Sequence, residues 1–130
     1  MESGLRFWEF MVQNLLQWSK ELGVIENAGV VMGAAHKDPS DESKVYFWHL
    51  SRCREIVGNE MWMLIPGIGT QKGFVEETVK AAFAGPGSIT INSSSGIIFA
   101  SDPAAEAEKL RDQIRAAGGD IPFPAGDEHV

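Results

Sequence analysis

Two short stretches hold the residue types that grip an anion. Pro66-Gly67-Ile68-Gly69-Thr70-Gln71-Lys72-Gly73 directly follows an apolar run and opens a helical pattern. Glycines there let backbone N–H groups approach an anion closely, and a helix N-terminus adds partial positive charge. Gln71 offers a neutral donor and Lys72 a point charge. The spacing is neither a Walker A loop nor the dinucleotide fingerprint, and Gly-x-Gly alone serves a tight turn equally well. Asn92-Ser93-Ser94-Ser95-Gly96 is the second stretch, with three hydroxyls in a row ahead of an apolar piece that can form one helical turn. Taken alone it also reads as a serine-rich cap and turn.

Other reactive residue types are more scattered. His36 and His49 lie near Asp38 and Asp41, but no pair has a metal-site spacing, so no metal is expected and His49 reads as part of a helix face. Cys53 has no neighbouring histidine and falls on an apolar helix side, which makes it a small core residue. Trp8, Trp18, Trp48 and Trp62 occupy helix or strand positions and read as core or partner-facing, while Glu106, Glu108 and Asp112 form a solvated helix face.

Alternating helices and short strands must position the two loops. Leu5, Trp8, Val12, Leu15 and Leu22 recur at helical steps up to Gly23. Gly29-Val30-Val31-Met32-Gly33-Ala34-Ala35 is continuously apolar and predicts a strand buried on both faces. The polar stretch His36 to Ser43 leads into a helix with Val45, Trp48, His49, Cys53 and Ile56 on one side, closed by Gly58. Met61-Trp62-Met63-Leu64-Ile65 is a second strand, Lys72 to Phe83 a third helix, and Ser88 to Asn92 a third strand. The last helix has Asp102 as N-cap and Pro103 at its first position, and Gly118-Gly119 stops it. Residues 1–119 are expected to form one unit, with 120–130 a flexible Pro/Gly-rich acidic tail.

This alternation implies parallel pairing with right-handed crossovers, an α/β class in which doubly wound and (β/α) barrel folds both stay open. In either, ligands gather at the carboxyl ends of strands, where both loops fall; two successive strand-end loops of this kind commonly build a phosphate site in barrels. The composition narrows the function classes. With 130 residues, 44% hydrophobic and 22% charged, the chain can bury a core. A net charge of -7 argues against nucleic-acid binding. A lone cysteine fits a reducing compartment, no apolar run approaches the roughly 20 residues that span a bilayer, and Met1-Glu2-Ser3-Gly4 lacks a basic leader pattern, so a cytoplasmic location is expected.

The sequence resembles the C-terminal half of orotidine 5′-phosphate decarboxylase in its larger bacterial-type subfamily. The residues that carry this are Gly29-Val30-Val31-Met32-Gly33-Ala34, Leu64-Ile65-Pro66-Gly67-Ile68-Gly69-Thr70-Gln71 and Ile91-Asn92-Ser93-Ser94-Ser95-Gly96-Ile97-Ile98-Phe99-Ala100-Ser101, and the likeness runs from about Val12 to Ala117. The resemblance implies the C-terminal part of a (β/α)8 barrel, about three parallel βα units preceded by a helix. It also implies orotidine 5′-monophosphate as substrate, decarboxylated to UMP without a cofactor. The substrate phosphate is expected at Gly67, Gly69, Gln71, Ser94 and Ser95, with Lys72 as an auxiliary charge.

Two departures limit what carries over. The family's catalytic Asp-x-Lys-x-x-Asp array has no counterpart here, so no catalytic residue is assigned and the chain alone is expected to be inactive. The family's phosphate-binding Arg falls at Ser95, and its Asp at Phe74 is missing, which weakens the phosphate grip; the His36 to Ser43 loop is also longer than usual. A whole barrel of this type needs about 250 residues, so a missing N-terminal half or a homodimer is the expected partner. The alternative is a non-catalytic half-barrel that pairs with itself or another protein to cover its unpaired sheet edges.

Overall fold

A computed structural model describes residues 4–68 and 74–119. Helix α1 (Phe7–Glu21) leads through a 3-10 turn at Ile25–Asn27 to strand β1 (Gly29–Val31). A hairpin, β2 (His36–Asp38) and β3 (Asp41–Tyr46), follows, then helix α2 (Trp48–Val57), strand β4 (Trp62–Ile65) and helix α3 (Val75–Ala82). Strand β5 (Ile89–Ile91), the short helix α4 (Ser94–Ile98) and helix α5 (Pro103–Ile114) complete the order, with a π-type turn at Arg115–Gly119.

The main sheet is parallel, in the order β1-β4-β5. Val30 is opposite Met63, and Leu64 opposite Thr90. The ladder extends past the strand ends through Met32 N–H to Leu64 O (3.0 Å), Ala34 N–H to Pro66 O (2.9 Å) and Asn92 N–H to Ile65 O (3.2 Å). These bonds tie both loops to the carboxyl edge of the sheet.

The core lies on one face of the sheet only. Val30, Met63 and Ile65 pack with Leu50, Cys53, Val57 and Ala82 beneath the helices. Their neighbours in the strands point the other way: Val31 is 67% exposed and Trp62 39% exposed. The expectation that the first strand is buried on both faces is therefore wrong. Side chains alternate across a strand, and the helices here cover a single face. Trp62 lies across Gly29, where an added Cβ would stand 2.6 Å from the indole Cε2.

The stretch around His36 to Tyr46 is a second correction. It forms an antiparallel hairpin turned at Pro39-Ser40, and Val45 lies in its second strand rather than in the following helix. The turn holds because Asp38 accepts from the Ser40 N–H (2.8 Å) and Oγ (2.6 Å), and Asp41 does the same for Ser43. Each aspartate is held below the ordinary carboxylate range by those donors, hydroxyl first. The predicted start of α5 is observed, with the Asp102 carboxylate accepting from Ala105 N–H (3.0 Å) and Pro103 in the first turn.

Candidate functional site

The two loops predicted to hold an anion leave adjacent strand ends. After β4 the chain turns at Gly67 with φ +105°, a conformation that glycine adopts without Cβ strain. Ile68 then turns inward and is buried. The far end of this loop is anchored where Phe74 N–H bonds Ala35 O (2.9 Å). Ala35 N–H in turn bonds the fully buried Thr78 hydroxyl (2.9 Å), which satisfies a polar group inside the core and fixes α3 to the end of β1. Sequence reading passed over Thr78, because a lone threonine in a helical pattern gives no signal of its partner.

The second loop closes tightly. Asn92 Nδ2 donates to Ser94 Oγ (3.1 Å), while its buried Oδ1 has no hydrogen-bond partner among the described residues. Ser93 stands at the N-cap of α4 without a side-chain capping bond, so the serine run is not explained as a cap. Asn92 is a candidate site residue on this geometry, where the sequence marks it only as the start of the loop.

A cleft of about 730 Å³ joins the two loops. Ile68 and Phe74 reach it from the first, Ser93, Gly96 and Ile97 from the second, and Leu110 closes it from α5. Glu76 and Glu77 from the first turn of α3 and Glu106 from α5 also line it, with Lys109, whose ammonium is 4.0 Å from Glu106. Of the expected phosphate contacts, Gly67, Ser94 and Ser95 do not line this cleft, although each is next in sequence to a residue that does; Gly69, Gln71 and Lys72 lie outside the described residues.

The remaining chemistry-bearing residues fall elsewhere. His36, Tyr46 and His49 stack, with ring centroids 5.3 to 5.7 Å apart. His49 Nε2 is 2.7 Å from Gly33 O. A carbonyl only accepts, so Nε2 carries the proton, and the buried Nδ1 lone pair is left without a partner among the described residues. Burial, with a smaller contribution from the neighbouring His36, holds the His49 imidazole below its ordinary pKa. This cluster latches the hairpin to α2 and β1. No group of three His, Cys, Asp or Glu that could hold a metal occurs among the described residues. Cys53 is fully buried and its thiol is pushed up to about 11 by desolvation, as befits an inert core residue.

The N-terminal end of the sheet is held by one guanidinium. Arg54 of α2 donates to Ala82 O (2.7 Å) and to Gly58, Met61 and Ser88 carbonyls (2.9 Å each). It ties α2, α3 and the starts of β4 and β5 together, and so sets the spacing of the two strands whose far ends carry the loops.

Comparison with known proteins places this arrangement. No family model matches the chain. It is 42% identical over 73 residues to orotidine 5′-phosphate decarboxylase of Ralstonia nicotianae, covering 55% of this chain and 27% of that protein. It is 30% identical over 112 residues to the Natronomonas pharaonis decarboxylase, covering 86% of this chain and 35% of that one. Among solved structures, Leishmania donovani UMP synthase superposes with TM-score 0.70 at 28% identity, over 90% of this chain and 23% of that chain. The OMP decarboxylase of the same organism gives 0.68 at 26%, over 92% and 42%. The resemblance read from the sequence thus holds in sequence and in fold: the parallel α/β sheet corresponds to part of the decarboxylases' (β/α)8 barrel, and the chain spans about a quarter to a third of its curated relatives. No helix among the described residues is long and apolar enough to cross a membrane.

Proposed function

We propose, from a chain similar in sequence and fold to part of the orotidine 5′-phosphate decarboxylase barrel, that it is the phosphate-gripping portion of such an enzyme. On this reading residues 1–119 are the barrel portion, and the tail expected at 120–130 lies outside the described residues. Gly67, Gly69, Gln71, Ser94 and Ser95 hold the phosphate of orotidine 5′-monophosphate or UMP, and Lys72 adds charge. The observation that supports this most is the shared cleft, which Ile68 of one loop and Ser93 and Gly96 of the other line together. Gripping the remote dianion contributes to catalysis by supplying binding energy that stabilises the transition state at the pyrimidine ring. The Lys/Asp array that stresses the substrate carboxylate and protonates the C6 carbanion comes from outside this chain, and no cofactor is needed. We place the protein in the cytoplasm.

Calorimetric titration with UMP tests the reading. Saturable binding, lost in Gln71→Ala, is the expected result, together with unchanged absorbance of orotidine 5′-monophosphate over hours. Turnover by the purified chain would refute the assignment of the catalytic array to another segment, and absence of UMP binding by a folded chain would refute the phosphate site.

A second reading is favoured by the uncovered apolar sheet face at Val31 and Trp62. On it the chain is a non-catalytic half-barrel that self-associates, and a folded dimer without UMP affinity is its signature.

A further inference from the structure

The connection between β1 and the hairpin is tethered at every residue. Gly33 O accepts from His49 Nε2 (2.7 Å) and Ala34 N–H donates to Pro66 O (2.9 Å). Ala35 O accepts from Phe74 N–H (2.9 Å), and Ala35 N–H donates to Thr78 Oγ1 (2.9 Å). Ala34, Ala35 and Thr78 are all buried.

Pro66 and Phe74 are the two ends of the first anion loop, and they bond to consecutive residues, Ala34 and Ala35. The near end needs little help, because Pro66 continues directly from β4. The far end stands outside the sheet, and its place depends on where α3 begins. Phe74 and Thr78 are four residues apart and so share one side of that helix start. Ala35 grips both, one with its carbonyl and one with its N–H. Two attachments a turn apart fix both the distance of α3 from the end of β1 and its rotation. Packing alone would be served at this fully buried position by valine, which has the same shape. The hydroxyl is accounted for by the backbone bond it makes.

We propose that Thr78 is a positioning residue for phosphate binding: through Ala35 it holds the far end of the loop between Pro66 and Phe74 in the form that grips the phosphate, without touching the ligand. The inference rests on the reading of that loop as the phosphate grip. A loop fixed at both ends loses less freedom on binding, and apparent affinity scales with the fraction of molecules already in the competent form.

The test is calorimetric titration of UMP into the full chain and into Thr78→Val and Thr78→Ser, each shown to be folded by circular dichroism. Valine deletes the acceptor, and serine keeps it. Binding about tenfold weaker is expected for valine, as when only about a tenth of the molecules hold the loop end, with near wild-type affinity for serine. Val57→Ala, a truncation of a buried residue in the last turn of α2, should lower stability and leave UMP affinity unchanged. Amide exchange on the wild type needs no variant and stands even where valine prevents folding. A ligand that requires this attachment closed must slow its opening, so saturating UMP should slow exchange at Ala35 and Phe74 more than at Leu22, whose N–H bonds Trp18 O at the end of α1. Wild-type affinity in Thr78→Val, the same loss in Thr78→Ser or in Val57→Ala, or slowing no greater at Ala35 and Phe74 than at Leu22 overturns the role. UMP binding indifferent to Thr78 removes this role and retains the phosphate site, whereas a folded wild-type chain that binds no UMP refutes the site and the role with it.

Discussion

Replacing Arg54 with methionine is expected to lower stability by about 2–4 kcal/mol, although the residue is remote from both loops. Its guanidinium serves four backbone carbonyls, and three of them belong to buried residues, Ala82, Met61 and Ser88. Methionine fills much of the same volume but leaves the Ala82 and Met61 carbonyls without this donor, while Ser88 O keeps the Met63 N–H (2.9 Å). At about 1–3 kcal/mol for each of the two buried unsatisfied groups the gross loss is about 2–6 kcal/mol. Water entering beside the half-buried side chain returns part of it, which gives the lower figure. A domain holds only about 5–15 kcal/mol in all, so the variant should be measured by urea unfolding at low temperature. Lysine keeps the charge but not the planar fork over four carbonyls, and should recover no more than about half. A methionine variant within about 1 kcal/mol of wild type, or a lysine variant equal to it, would refute the view that the fork geometry holds these elements together.

Three further outcomes are expected. Gly29→Ala drives a Cβ into the Trp62 ring, 2.6 Å away, and should destabilise by about 1–3 kcal/mol; the same change in a Trp62→Ala background should be nearly neutral in a double-mutant cycle. His49 is held below its ordinary pKa of 6.5, so the unfolded chain binds its proton first: this contribution to stability is complete above about pH 6.5 and falls as the pH drops through the lowered folded value. Urea midpoints from pH 8 to 5 should therefore slope less in His49→Gln, and parallel slopes would count against the latch. Ser95→Arg supplies the charged group that the resemblance expects at this position; at about 1.5–3 kcal/mol per charge-assisted bond, UMP affinity should rise about 10- to 150-fold, and isothermal titration without a gain would show that this backbone cannot present the fork.

How far the sequence foretold this structure depended on whether a signal was local. The periodicities of α1 and α3 and the Asp102-Pro103 start of α5 are local and were legible. The β2–β3 hairpin was not, because its strands are too polar for apolar alternation and the Val45-Tyr46 pair continued into the next helical pattern; only Asp38-Pro39-Ser40-Asp41 hinted at a turn. Burial on both faces at Val31 was misread because a continuous apolar run records that both faces want cover, not that cover is present. The two loops were legible as strand-end glycine and serine clusters, whereas the roles of Thr78 and Asn92 depend on partners in other elements, 43 residues away for Thr78.

The hairpin also makes the chain easy to edit. Its first and last residues, His36 and Tyr46, are cross-strand partners, so the segment leaves the fold and returns to it at one rung. Chain added between Lys37 and Lys44 would lengthen a loop whose ends are already closed, and each doubling of such a loop adds only about 0.6 kcal/mol. The tip is therefore a natural port for a reporter or an affinity handle, mounted at the carboxyl end of the sheet without shifting β1, α2 or either loop.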